Sequence, residues 1–127
     1  MKFLYISMGG ALGAILRYVI SGFTFRFFDK MFPWGTLSVN LIGAFIIGFL
    51  YTFFEYLKID SSLKIFVFVG ILGAFTTFST YCLETVNLLR DGEYKYALIN
   101  IIISNITGIL LVILGIVIAR MMITKTI

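Results

Sequence analysis

Residues 70–81 read GILGAFTTFSTY, and this stretch decides how the rest of the chain is interpreted. It lies within a long apolar run, yet it combines small residues, aromatic rings and hydroxyl side chains. All of residues 76–80 have poor helix propensity, which predicts a local break in a membrane-spanning helix. Backbone outside a helix is tolerated at membrane depth only where it is buried in protein or lines a cavity. We therefore expect this stretch to be the functional part of a membrane protein, with the other segments packed around it.

The composition is that of a membrane protein. Hydrophobic residues make up 61% of the 127 residues and the mean hydropathy is +1.08, whereas soluble domains are about 45–50% apolar. The chain has no His and a single Cys, Cys82, so the usual zinc and haem ligands are lacking and no enzyme activity is expected. The net charge of +4 comes from basic residues at the ends of apolar runs, which favours contacts with lipid headgroups over a nucleic-acid partner.

Four apolar runs, joined by short polar segments, cover residues 3–25, 35–54, 65–83 and 96–119. Each has 19 to 24 residues, which at about 1.5 Å per helical residue is enough to cross a hydrocarbon core of roughly 30 Å. We predict a single-domain, all-α membrane protein with four transmembrane helices and a break in the third. We expect it to be a multi-pass protein of the inner (plasma) membrane.

The basic residues leave the orientation of the chain open. With four spans, one side of the membrane carries five Lys or Arg residues and the other carries four, which gives almost no positive-inside bias. Either another feature sets the orientation, or the chain inserts both ways and forms an antiparallel homodimer. Small residues spaced four apart, Gly9 with Gly13 and Ala44 with Gly48, predict close helix contacts within or between subunits. We take a homo-oligomer as the better prediction.

Three polar side chains in the spans are candidates for function, because such groups are costly in lipid. Asn40 shares a helix face with Thr36, and it either cross-links helices or lines a pore. Arg17 either extends to the membrane surface or supplies positive potential at the mouth of an anion pathway. Glu84, at the end of the third span, either closes a cavity or pairs with Arg17.

Two helix faces carry further candidates. Asn100, Ser104 and Thr107 are spaced at i, i+4 and i+7, which predicts one polar stripe facing the bundle interior or a pore. Phe78 and Tyr81 are three residues apart and share a face. Their rings either pack in the core or, because the ring edge carries partial positive charge, contact a small anion.

Three motifs, in order, closely resemble the signatures of the Fluc (CrcB) fluoride channels: GGxxGAxxRY from residue 9, WGTLxVNxxG from residue 34 and GxxGxxTTFST from residue 70. The resemblance covers nearly the whole chain in length, number of spans and motif order. It implies a dual-topology, antiparallel homodimer with two pores that exports fluoride passively and protects the cell from fluoride toxicity. Composition and spacing alone do not distinguish fluoride from other small anions.

The resemblance also implies roles for individual residues. Arg17 and Glu84 match an arginine near the pore mouth and the glutamate that follows the third motif. A sodium ion is implied at the dimer centre, held by the backbone carbonyls of Gly73 and Thr76. Position 81 is usually Phe in the family, and the Tyr found here keeps a ring edge and adds a hydroxyl donor. Together with the polar stripe, the residues expected to line the fluoride pore are Phe78, Tyr81, Asn40, Ser79, Thr80 and Ser104.

Two other classes of protein fit parts of the pattern. A small antiparallel multidrug transporter coupled to protons would also have four spans and balanced charge, but it needs a carboxylate embedded in the membrane. The first span here holds Arg17 and no acid, and Glu84 lies at the end of its span. A membrane scaffold without transport activity would leave the hydroxyl and aromatic cluster of residues 76–81 without a purpose.

Overall fold

The computed structural model describes residues 1–126 and confirms an all-helical architecture with four segments long and apolar enough to cross a membrane. These segments are Lys2–Phe27, Trp34–Tyr56, Ser61–Arg90 and Tyr94–Lys125. Each contains one of the predicted apolar runs and extends beyond it. Polar and aromatic side chains at the helix ends allow this extension, because they can place their polar tips in the headgroup layer.

The third span is made of several pieces, whereas the other three are continuous helices. In chain order the elements are α1 (Lys2–Phe27), α2 (Trp34–Tyr56), α3 (Ser61–Lys64), a π-helical segment (Ile65–Leu72), α4 (Gly73–Phe75), α5 (Phe78–Arg90) and α6 (Tyr94–Thr126). The π-helical segment has no counterpart in the sequence-based prediction. π-Helical turns are rare, and they occur frequently near functional sites.

The predicted break in the third span is confirmed, and it consists of two residues. Thr76 (φ −84°, ψ 158°) and Thr77 (φ −150°, ψ 117°) have extended backbone between α4 and α5. The run of poor helix formers extends to Thr80, but Ser79 and Thr80 already belong to the first turn of α5. The break is therefore shorter than the stretch that predicted it.

The start of the third span is marked by Asp60. Its carboxylate accepts a hydrogen bond of 2.8 Å from the backbone N–H of Ser62 and caps α3. The same bond from Ser62 lowers the pKa of Asp60 below its ordinary value. A charged cap fixes where the third span begins.

Glycines allow close approach between the spans at two places. A methyl group on Gly13 would meet the carbonyl oxygen of Ile71, so α1 packs directly on the backbone of the π-helical segment. A methyl group on Gly48 would likewise meet the carbonyl oxygen of Val112, where α2 packs on α6. Both small-residue motifs thus make contacts within one chain.

Candidate functional site

The extended backbone at Thr77 is held by the side chain of Asn40 on α2. Asn40 Oδ1 accepts a hydrogen bond from the Thr77 N–H at 2.8 Å, and Asn40 Nδ2 donates to the Thr77 carbonyl at 2.9 Å. One side-chain amide therefore satisfies both backbone groups of the residue at which the helix is broken. Because unpaired backbone groups are costly away from water, this contact is a physical reason why the break is stable.

Thr77 also begins the second half of the span. Its hydroxyl oxygen accepts a hydrogen bond from the Thr80 N–H at 3.2 Å, which caps α5. The same hydroxyl donates to Thr80 Oγ1 at 3.0 Å and lies 3.4 Å from Ser79 Oγ. One of the hydroxyl side chains in residues 76–80, that of Thr77, therefore serves as the N-terminal cap of α5.

The break changes the partners of the backbone carbonyls on its N-terminal side. In a continuous helix the Gly73 carbonyl would accept from the Thr77 N–H, which here donates to Asn40. The Thr76 carbonyl would accept from the Thr80 N–H, which here donates to Thr77 Oγ1. The carbonyls expected to hold a sodium ion, those of Gly73 and Thr76, are therefore released from helical bonding. Within residues 1–126, no group of three or more His, Cys, Asp or Glu side chains is placed to hold a metal.

A cavity of about 470 Å³, here named the Phe78 cavity, lies between α2, the broken span and α6. Thr77 and Asn105 also form part of its wall. The cavity brings together five of the residues predicted as pore or ion-binding positions, namely Asn40, Gly73, Thr76, Phe78 and Ser104.

A second cavity of about 550 Å³, here named the Glu84 cavity, lies on the other side of the break. Arg17, Glu84 and Thr80 line it, together with Thr36. Thr77 is among the lining residues of both cavities. Eight of the ten predicted site residues therefore line one of the two cavities, and Ser79 and Tyr81 line neither.

Glu84 bonds to α2 rather than to the arginine of α1. Its Oε1 accepts a hydrogen bond of 2.8 Å from the Thr36 hydroxyl. Its Oε2 is buried and has no hydrogen-bond partner in the described part of the chain. Of the two roles left open for Glu84, lining a cavity therefore fits better than pairing with Arg17.

The rings of Phe78 and Tyr81 are neighbours on one face of α5, with centroids 5.7 Å apart and planes tilted by 42°. The Phe78 side chain is 75% exposed within the single chain, so packing in the core of this chain is not its role. Tyr81 is half-buried, and its hydroxyl accepts a hydrogen bond of 3.1 Å from Asn105 Nδ2.

The predicted polar stripe of α6 makes contact with α5. Asn100 is almost fully buried and donates to Thr85 Oγ1 at 3.0 Å, while Ser104 lies 3.3 Å from Asn100 Oδ1. Asn105 was not predicted because it lies one position away from the stripe. Asn105 nevertheless lines the Phe78 cavity. Its position next to Ser104, a predicted pore residue, was the signal in the sequence that could have indicated this.

Three predicted pore residues do not line the Phe78 cavity, namely Tyr81, Ser79 and Thr80. Ser79 is exposed on the first turn of α5, and Thr80 faces the Glu84 cavity. Neither position contradicts a role in ion passage, because both are within one turn of Phe78. Thr80 lines the Glu84 cavity, whereas Phe78, on the same turn of α5, lines the Phe78 cavity.

These features define a class: a four-helix membrane protein whose third span is broken beside two cavities, each lined by apolar residues and a few polar ones. The family model described as "CrcB-like protein, Camphor Resistance (CrcB)" matches residues 4–116. The chain belongs to this family.

Proteins with similar sequences align with almost the full length of this chain, and the alignments cover almost the full length of each relative. A protein of Magnetococcus marinus is 47% identical over 122 residues, covering 95% of this chain and 99% of the relative. A protein of Parabacteroides distasonis is 43% identical over 123 residues, covering 97% and 96%, and one of Desulforapulum autotrophicum is 43% identical over 121 residues, covering 94% and 97%. All three are named "Fluoride-specific ion channel FluC".

Proposed function

We propose that the protein is a fluoride-selective ion channel that exports cytoplasmic fluoride by passive electrodiffusion and so protects the cell from fluoride toxicity. The observation that carries the proposal is the helix break at Thr76 and Thr77, pinned by Asn40 and bordered by a cavity on each side. The names of relatives that match over nearly their whole length support the choice of ion.

The wall of the Phe78 cavity suits a small anion. Phe78 offers a ring whose edge carries partial positive charge. Asn40 donates one amide hydrogen to the Thr77 carbonyl, and its second N–H is available to an ion in the cavity. Ser104 also lines the cavity, and its hydroxyl donates to Asn100 Oδ1. The Phe78 ring edge and the second Asn40 N–H replace part of the ion's hydration shell without a fixed positive charge that would trap it.

The Glu84 cavity supplies the path on the other side of the break. Arg17 lends it positive potential, and the hydroxyls of Thr36 and Thr80 line it. Glu84 is held against Thr36 and narrows this path. An anion passing between the two cavities would cross beside Thr77, whose hydroxyl and backbone are already held in place.

We further propose that two copies of the chain form an antiparallel homodimer of dual topology. The near balance of basic residues on the two sides supports insertion both ways. Phe78 and Ser79 are exposed on the single chain at membrane depth, beside Gly73 at the break. A second copy covering this face would complete a pore on each side of the shared interface.

A sodium ion at the dimer centre is part of the same proposal. The released carbonyls of Gly73 and Thr76 fit it, because sodium prefers neutral or anionic oxygen ligands and Gly73 lies on the exposed face. When bound, the ion would contribute positive charge and hold the two breaks together. The walls of the two cavities are formed by protein side chains and backbone, and not by the ion.

We place the channel in the inner (plasma) membrane, since export of cytoplasmic fluoride requires that barrier. The alternative of a proton-coupled multidrug transporter has less support. Glu84, the carboxylate that reaches the Glu84 cavity, is hydrogen-bonded to Thr36, and the relatives bear the name of a channel.

Growth of cells tests the proposed function. A bacterial strain lacking its own fluoride exporter should grow in millimolar fluoride when it expresses this protein, and should contain less fluoride than cells with an empty vector. Unchanged fluoride sensitivity, with the protein shown to be in the membrane, would contradict the proposal.

A further inference from the structure

Asn105 on α6 binds two acceptors with one amide nitrogen. Its Nδ2 lies 2.8 Å from the backbone carbonyl of Ile101 and 3.1 Å from the Tyr81 hydroxyl oxygen. An amide NH₂ group has two hydrogens, and these two contacts use both. The side chain is exposed on the single chain, so burial alone does not explain why its orientation is so fully determined.

The contact with Ile101 settles which group donates to Tyr81. A backbone carbonyl only accepts, so the nitrogen of the Asn105 amide, and not its oxygen, must face it. The same nitrogen then donates to Tyr81, whose oxygen acts as the acceptor. The hydroxyl hydrogen of Tyr81 is left over, and it has no acceptor among residues 1–126.

The Tyr81 hydroxyl belongs to a side chain that contacts two residues of the Phe78 cavity. Asn105 and Phe78 both line that cavity, and Tyr81 touches each of them, Asn105 through its hydroxyl and Phe78 through its ring. A phenol hydroxyl at this position can donate to an acceptor that enters the cavity.

We propose that Asn105 is a positioning residue for the permeating anion: it holds the Tyr81 hydroxyl as an acceptor, so that the O–H hydrogen donates to the ion beside the Phe78 ring edge. The inference rests on the proposed fluoride function. It assigns the fluoride site a direct hydrogen-bond donor from α5 and a supporting residue from α6. A small anion that accepts hydrogen bonds strongly gains most from such a donor.

A double-mutant cycle in liposomes tests this role. The variants are Tyr81→Phe, which removes the donor and keeps the ring, Asn105→Ala, and the two combined. The measured quantity is the fluoride concentration that gives half-maximal efflux, which a purely structural defect would leave unchanged. Each single variant should raise this concentration by roughly fivefold, the typical effect of one lost hydrogen bond. The double variant should resemble Tyr81→Phe alone, because Asn105 acts through that hydroxyl.

Two results would overturn the inference. Losses that multiply in the double variant would show that Asn105 acts independently of Tyr81, and an unchanged half-maximal concentration in Tyr81→Phe would show that the hydroxyl does not meet the ion. If Asn105→Ala does not fold, Asn105→Leu, which is close to asparagine in shape, takes its place in the same cycle.

Thr124→Ala provides a matched control on α6, because Thr124 is exposed and bonds only to nearby backbone carbonyls in the described part of the chain. It should transport fluoride as the unmodified protein does. Fluoride efflux from the unmodified protein separates the two levels of the argument. Its absence would contradict the channel and this inference together, whereas efflux with multiplying losses would contradict the inference alone.

Discussion

The Asn40 side chain and the Thr77 backbone form a pair of hydrogen bonds, of 2.8 and 2.9 Å, that joins α2 to the break in the third span. The geometry is that of an amide paired with a single residue of extended backbone. It explains how a helix can stop and restart at membrane depth, because the groups left by the missing helical bonds are satisfied by one side chain.

Asn40→Asp should disrupt this pair. An ionised carboxylate can still accept from the Thr77 N–H, but it cannot donate to the Thr77 carbonyl. We expect the free energy of unfolding to fall by about 1–3 kcal/mol, so that heating removes the folded peak on size exclusion at a lower temperature. We also expect fluoride efflux to be lost. Asn87→Asp, at an exposed position on α5, is the matched control and should change neither. Normal stability and transport in Asn40→Asp would contradict the role given to the pair.

Phe78→Ile should abolish fluoride efflux and leave folding intact. The side chain is 75% exposed on the single chain, so little packing within that chain is lost, whereas the positive ring edge is removed. Efflux should fall to the level of liposomes without protein. Phe23→Ile, at another exposed phenylalanine, should conduct normally. A well-folded Phe78→Ile protein that transports at the usual rate would remove Phe78 from the pore.

Gly43→Ala should shift the break. A methyl group at residue 43 would meet Cγ2 of Thr76, one of the two extended residues. We expect a cost of about 1–3 kcal/mol from overpacking, with reduced efflux. Gly10→Ala is the control, since nothing lies within 4 Å of the added methyl group, and alanine there should be neutral or favourable in a helix. Equal stability of the two variants would show that the contact at Thr76 is relaxed at no cost.

Cysteine labelling tests the dual topology. In a Cys82→Ala background, a cysteine in place of Lys2 should react with a membrane-impermeant reagent on both sides of the membrane, because the basic residues are nearly balanced. Labelling from one side only would contradict the antiparallel homodimer.

Removal of sodium tests whether the backbone carbonyls of Gly73 and Thr76 bind a sodium ion. A ligand that binds only the folded protein raises its melting temperature with concentration. We therefore expect the melting temperature of the purified protein to rise with sodium chloride and to stay constant when choline chloride replaces it at equal ionic strength. Identical melting curves in the two salts would count against a sodium site.

The sequence predicted the spans and the break because both follow from local composition. Apolar run length located the helices, and the poor helix formers of residues 76–80 located the interruption. The partner of Thr77 could not be predicted, because Asn40 lies 37 residues away and only the packing of α2 brings it there. Helical spacing found Asn100 and Ser104, and it missed Asn105.

Other features depended on long-range geometry in the same way. The sequence allowed Glu84 to pair with Arg17. In the structure the hydroxyl of Thr36, one turn before Asn40, donates a hydrogen bond to one of the Glu84 carboxylate oxygens. The π-helical segment consists of ordinary apolar residues, whose pattern does not distinguish it from an α-helix. Its packing against the glycines of α1 is visible only in three dimensions.

Ion efflux from liposomes containing the purified protein tests the central claim most directly. Fluoride and chloride are followed with ion-selective electrodes, and an ionophore dissipates the voltage that passive efflux would otherwise build up. We predict fast loss of fluoride with chloride retained. Retention of both ions, or equal loss of both, by vesicles shown to contain folded protein would contradict a fluoride-selective channel.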